Sequence, residues 1–263
     1  MKRKILAIVL VLVLVLSCVA AFTACKSKKT DAEYILDKGT LICGITLYEP
    51  MNYFNNDGDL IGFDTEFAEA VAEKLGIEAK FQVIKWSSKE IELNSKYIDC
   101  IWNGFTVTEK RKENITFTQS YLNNTQCVVI KASNAALFAN EEACAGKRAV
   151  AEAGSAGETA ANELTTNVTP KGAQVDALTE VKSGTADFAV VDVVLANSMV
   201  GQGDYADLAI ATGIQLESEE YAIGFRKGSD MAEKVNAVIA DLLADGTLQT
   251  LAEKYGVAGQ LIK

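Results

Sequence analysis

The 263-residue chain carries 35 Asp and Glu against 25 Lys and Arg, a formal net charge of −10, and no histidine. A field of that sign repels phosphate backbones, which argues against nucleic-acid binding. The six cysteines show none of the close pairings that mark zinc or iron–sulfur sites, so neither a metal nor another cofactor is expected.

Met1-Lys2-Arg3-Lys4 is basic, and Ile5 to Leu16 is an apolar run of signal-peptide length, too short to span a bilayer comfortably. Residues 1–24 therefore read as a signal peptide and the protein as exported. Phe22-Thr23-Ala24-Cys25 resembles a lipobox, which makes Cys25 the expected lipidation site, with Cys18 as the rival. The polar stretch from Lys26 to Thr30 follows as a tether, taken here to extend over 25–39. The expected location is the extracytoplasmic face of a bacterial membrane, with the chain a lipid-anchored monomer. The remainder exceeds the usual size of a single core and suits two lobes with a cleft between them.

Leu41 to Thr46 reads as a buried strand. In the next segment, Phe63, Phe67, Val71 and Leu75 recur every four residues as one helical face, which Gly76 ends. Phe81 to Ile84 is a strand, Ser87 to Asn94 a short helix and Ile98 to Trp102 a third strand. This β-α-β-α-β order predicts a parallel sheet flanked by helices. The pattern restarts at the strand Arg148 to Ala151, followed by helices over 157–164 and 175–182 and the strand Phe188 to Val191. Leu208 to Ala211 and Tyr221 to Phe225 read as strands, and Ser229 to Ala244 and Thr247 to Tyr255 as helices. With two prolines in the chain there is no linker signal, and the extended segments near Val128 and Tyr221 are the natural crossings between lobes. The expected division is 40–130 plus 221–263 for the first lobe and 131–220 for the second. Cys43, Cys100 and Cys127 lie in apolar stretches, where a free cysteine behaves as a small hydrophobe.

The run from Gly104 to Arg111 ends an apolar strand, exposes carbonyl and hydroxyl oxygens, and places a guanidinium a short loop away. Such a corner suits a zwitterion, because oxygens take an ammonium and the planar fork takes a carboxylate. Gly154-Ser155-Ala156-Gly157 opens a helix whose free N–H groups attract an anion. Asp192 stands at a strand end, where it can cap a helix or face an ammonium. Tyr48 and Trp86 follow strand ends, where α/β clefts bind ligands.

With Leu60-Ile61-Gly62-Phe63-Asp64, Ala186-Asp187 and Tyr221 to Phe225, these pieces extend over Leu41 to Val257. In order and spacing they resemble the polar amino-acid solute-binding proteins of bacterial ABC importers, solute-binding protein family 3, of glutamine-binding type. The resemblance implies an α/β, two-lobed periplasmic-binding-protein-like fold of type II, with two crossover hinge segments, that closes on one free amino acid and docks on permease subunits. It further implies that Arg111 clamps the α-carboxylate with backbone N–H groups of Thr106, Ser155 and Ala156. The α-ammonium then falls to the Gly104 carbonyl, the Thr106 hydroxyl and Asp192, between Tyr48 and Trp86. Asn103 and Glu152 are candidates for specificity. Glu152 stands where the glutamine-binding pattern has Lys, so an acid there can face a basic or amino-bearing side chain.

Two other functions fit the same fold. One is a cleft enzyme, a dehydratase acting on prephenate-like or arogenate-like acids with Glu152 or Asp192 as general acid. The other is a surface lipoprotein that senses amino acids without transporting them. The resemblance favours a receptor with no catalytic residues.

Overall fold

The computed structural model describes residues 29–263, so the signal peptide, Cys18 and Cys25 lie outside the described residues. Besides a short antiparallel hairpin of β2 (Tyr53–Phe54) and β3 (Leu60–Ile61), the chain builds two mixed sheets, one in each lobe. The first has the order β4-β1-β5-β13-β6, from Glu78–Val83, Thr40–Ile45, Cys100–Ile101, Gly224–Arg226 and Ile115–Phe117. β1 runs parallel to β4 and β5, whereas β13 is antiparallel to β5 and β6. The second has the order β11-β7-β10-β8-β9, from Leu208–Ile210, Leu122–Lys131, Phe188–Asp192, Ala149–Glu152 and Val168–Lys171. Among the described residues no helix is long and apolar enough to cross a membrane.

The four-residue spacing of Phe63, Phe67 and Val71 produces the expected helix, Phe63–Lys74, and all three side chains are fully buried. Phe67 meets Trp102 edge-on at 5.0 Å and Tyr121 at 5.4 Å, which binds the helix to the first sheet and to the start of β7. Aromatic pairs of this kind contribute about 0.5–1.5 kcal/mol beyond their burial. Cys43 and Cys100 face each other across β1 and β5 with sulfurs 3.6 Å apart, and with Cys127 and Cys144 they are free and buried.

Three expectations need correction. Residues 31–38, read as tether, form a helix capped by Thr30 and Glu33, with Ala32 and Ile35 buried in the first lobe. Val128 to Ile130 do not leave the first lobe but pair with β10 in the second, so the crossing lies earlier, near Leu122–Thr125. Tyr221 to Phe225 is not one strand. Ser218–Tyr221 (β12) pairs with the start of β7, and the chain then breaks at Ala222 and Ile223 before β13 enters the first sheet. The two crossings are thus hydrogen-bonded to each other, and Val107 N–H donates to Glu220 O beside them at 2.9 Å. Paired crossings of this kind bend together, as a hinge does.

Candidate functional site

Every ligand-binding or specificity residue named from the sequence except Tyr48 lines one narrow cavity between the lobes. The first lobe supplies Trp86, Asn103, Gly104, Thr106 and Arg111. The second supplies Glu152, Ser155, Ala156 and Asp192, joined by Gln174.

Arg111 belongs to a single turn, Glu109–Lys112, whose cap Thr108 accepts the Arg111 N–H at 3.1 Å. That cap fixes the backbone and turns the side chain back along the loop. The guanidinium lies 4.6 Å from the Phe105 ring, Nη1 donates to Thr106 O at 2.6 Å, and Nη2 reaches Gly154 O of the other lobe at 3.4 Å. In the run Glu109 to Glu113 it is thus not a solvated surface charge. Burial lowers its pKa, while the charges of Glu219 and Asp192 oppose that shift.

Gly104 holds φ +54, and a Cβ there would stand 1.9 Å from Tyr48 Oη. Tyr48 is buried with its hydroxyl against Gly104 and, against expectation, does not line the cavity, though its hydroxyl feels the charges of Asp192 and Glu152 of the facing lobe. Trp86 is on the wall, edge-on to Phe105 at 5.5 Å. Asn103 also lines the cavity but is not free to read a ligand. Its Oδ1 accepts from Thr46 N and Oγ1, and its Nδ2 donates to Thr46 O and Asn52 Oδ1, at 2.7–3.0 Å. With all its hydrogen-bonding capacity matched inside the first lobe, Asn103 braces β1 and is no specificity residue.

Beneath the cavity floor, Gly104 N–H donates to Asp64 Oδ2 at 2.7 Å, and Tyr121 Oη donates to Oδ1 at 2.8 Å. Burial pushes the Asp64 carboxyl up to about 7 despite these donors. Between its unfolded value of 3.8 and about 7, the folded chain keeps a proton that the unfolded chain has lost. Stability from this group is therefore full at about pH 4, declines as pH rises to about 7, and is level above that. Calorimetry of the ligand-free protein should show the melting temperature falling from pH 5 to 7.5, with Asp64→Asn removing part of the slope. Glu219, raised to about 7, and Glu152, raised to about 8, act in the same direction and account for the remainder.

On the facing lobe the helix Ala156–Leu164 begins at Ser155, whose Oγ accepts from Glu158 N–H at 3.0 Å. Ser155 N–H donates to Glu152 O at 3.1 Å across the Gly154 turn, so it is not available to an anion as expected. The open N–H groups belong to Ala156 and Gly157, which have no intrahelical acceptor. A Cβ on Gly157 would come within 2.7 Å of Val190 O, so only glycine lets the helix approach β10 this closely.

Asp192 occupies the N-cap position of Val193–Met199 but its side chain does not cap it. The carboxylate accepts instead from Asn124 at 2.8 Å, from Gln126 at 2.6 Å, and from Gln174. Glu219 of β12 accepts from the same Asn124 and Gln126 amides, at 2.5 and 2.7 Å, and from Thr106 Oγ1 at 3.0 Å. With its proton directed at Glu219, the Thr106 hydroxyl has lone pairs left to accept from a ligand. Lys89, also missed from the sequence, donates to Trp86 O at 3.2 Å and to Gly154 O at 2.9 Å across the cleft. Ser198 Oγ to Glu49 O, 2.9 Å, is another contact between the lobes. The arrangement is a closed cleft with a cationic fork and open N–H groups on one side and buried carboxylates on the other.

Residues 41–258 match the sequence profile of the bacterial extracellular solute-binding proteins, family 3. The L-cystine-binding protein TcyJ of Escherichia coli (strain K12) is 29 % identical over 225 residues, covering 84 % of each chain. The arginine-binding extracellular protein ArtP of Bacillus subtilis (strain 168) is 28 % identical, covering 93 % of this chain and 96 % of its own. Among solved structures, a mutant of ArgBP from T. maritima superposes with a TM-score of 0.80 at 29 % identity, over 86 % of this chain and 98 % of that one. A histidine-bound ABC uptake transporter substrate-binding protein from Streptococcus pneumoniae gives 0.79 at 31 % identity, over 86 % and 96 %. The two lobes, the paired crossings and the match over nearly all described residues give one conclusion: the chain belongs to the bacterial extracellular solute-binding proteins, family 3.

Proposed function

We propose that this protein is the extracytoplasmic receptor of an amino-acid ABC importer, anchored by lipid on Cys25, that closes on one free amino acid and presents it to permease subunits. The observation that carries the reading is the Arg111 fork, turned into the cleft and facing buried Asp192 across the cavity. Arg111 takes the α-carboxylate with the N–H groups of Thr106, Ala156 and Gly157. The α-ammonium sits among the Gly104 carbonyl, Thr106 Oγ1 and Asp192, against the Trp86 ring. A group moved from water into such a site must find its opposite charge there, and the zwitterion's two ends do so. ArtP and TcyJ, named for arginine and cystine, support this class of ligand.

A thermal-shift panel of the common amino acids and cystine tests the reading. A ligand at a hundred times its Kd stabilises the native state by about 2.7 kcal/mol. For domains of this size, that corresponds to a rise in Tm of about 5–10 °C. No shift with any member of the panel would defeat the proposal.

One structural neighbour is an ancestral amino-acid-binding protein described as a precursor of cyclohexadienyl dehydratase, at 26 % identity and TM-score 0.76. Glu152, a carboxyl raised to about 8, is the type of group such an enzyme needs as general acid. Turnover of prephenate or arogenate would move the assignment to that class.

A further inference from the structure

We propose that Glu152 selects the ligand's side chain, and that the cavity takes an amino acid whose side chain ends in a cation. The inference rests on the receptor reading above and adds the class of ligand. Glu152 closes β8 at the cavity wall and is 2 % exposed. Its Oε1 is enclosed with no hydrogen-bond partner, and no ion pair to it forms among the described residues. Other buried carboxylates around the cleft have partners: Asp192 has three amide donors, and Glu219 has two amides and a hydroxyl. An enclosed carboxylate without a donor is costly unless something that enters the site supplies one.

The chain's own cations do not supply it. Lys89 points at two carbonyls, Trp86 O and Gly154 O, with its ammonium 4.8 Å from the centre of the Trp86 ring. Arg111 is held by Thr106 O. Arg111 and Lys89 face three acids, Asp192, Glu152 and Glu219. A ligand with one carboxylate, one ammonium and one further positive group brings the enclosed charges to balance, and a neutral amino acid leaves an acid uncompensated.

The balance has a signature in pH. The groups that face Glu152 are Asp192 on β10, Asp176 on the helix Gln174–Ser183, the Tyr48 hydroxyl after β1, and Lys89 on the helix Lys89–Asn94, whose own pKa burial lowers to about 8. Burial, followed by the charge of Asp192, pushes Glu152 up to about 8, with Lys89 opposing. Around a neutral ligand Glu152 stays in that state and is protonated at pH 6, and this complex is disfavoured as pH rises through about 8. Beside a ligand cation it stays ionised. The ratio of cationic to neutral affinities therefore rises from pH 6 to pH 8.5, and the free protein cancels from that ratio.

Isothermal titration with arginine, lysine, ornithine, glutamine and glutamate, on wild type and Glu152→Gln, tests this. We expect the best cationic ligand to bind on the order of 10–100-fold more tightly than glutamine at pH 8. Glu152→Gln should remove most of that preference and its pH slope. A neutral or acidic ligand binding best, or an unchanged ranking in Glu152→Gln, overturns the proposal and leaves the receptor reading intact. If no amino acid binds at all, both fall. Should Glu152→Gln not fold, the wild-type ratio measured from pH 6 to 8.5 decides alone, a flat ratio overturning the proposal.

Discussion

Arg111→Ala should weaken binding of the best amino-acid ligand by about 10²- to 10³-fold, the size expected for loss of one partner of a desolvated, hydrogen-bonded charge pair. The carboxylate would then meet only the N–H groups of Thr106, Ala156 and Gly157, with no opposite charge in place. Arg111→Lys should lie in between, because an ammonium keeps the charge but not the planar two-point fork. The chain itself should tolerate both changes. Arg111 makes one short side-chain bond within its own lobe, to Thr106 O, and its Thr108 cap uses the backbone N–H, which any residue retains. Burial of the guanidinium also opposes its charge, so its removal relieves a cost in the ligand-free protein. Titration calorimetry beside a melting curve separates the two effects. An Arg111→Ala variant that binds within threefold of wild type would refute the clamp, whatever its stability.

What could be read in the sequence was local or repeated. The four-residue recurrence from Phe63 to Val71 fixed a helix and its buried face, and the alternation of apolar strands with helices fixed the layered class. The loop from Gly104 to Arg111 is also short and local, and that is why a guanidinium beside the strand end could be expected; the Thr108 cap that fixes its backbone is a finding of the structure. The cradle of Asp192 could not. Gln126 stands opposite Asp192 in the β7–β10 register, and Asn124 opposite Glu219 in the β7–β12 register. The two amides meet the two carboxylates only because one long strand pairs with both partners. No window of sequence contains that register. Lys89 and Gly154, 65 positions apart, are invisible for the same reason. Tyr221 to Phe225 misled in the opposite direction. Its apolar run is continuous, yet Ala222 N–H donates to Phe105 O and Ile223 N–H to Thr118 Oγ1, and these distant partners break the strand at the hinge. Asn103, a candidate for specificity, would have free donors beside the cleft unless something in the fold takes them. Here Thr46 and Asn52 take them.

Gly62→Ala should be the most damaging small substitution outside the cleft, lowering stability by more than about 3 kcal/mol, the sum of a φ open only to glycine and a backbone collision. Gly62 has φ +133, and a Cβ there would stand 2.1 Å from Met51 O and 2.9 Å from Asn52 N. Those atoms are backbone and cannot swing aside. The same segment also caps the helix Phe63–Lys74, since Phe63 N–H donates to Pro50 O at 2.9 Å and Asp64 N–H to Met51 O at 3.0 Å. Pushing residues 50–52 away leaves those N–H groups without acceptors and shifts Asp64, whose carboxylate holds Gly104 N–H under the cavity floor. The substitution should therefore lower Tm by at least about 6–12 °C and weaken ligand binding through Asp64 and Gly104, although Gly62 itself does not line the cavity. Gly58→Ala is the matched control: its φ is +87, but a Cβ there meets nothing within 4 Å, so only the backbone cost of about 1 kcal/mol applies. Equal losses in the two variants would show that conformational preference alone, and not the contact with Met51, makes glycine necessary at position 62.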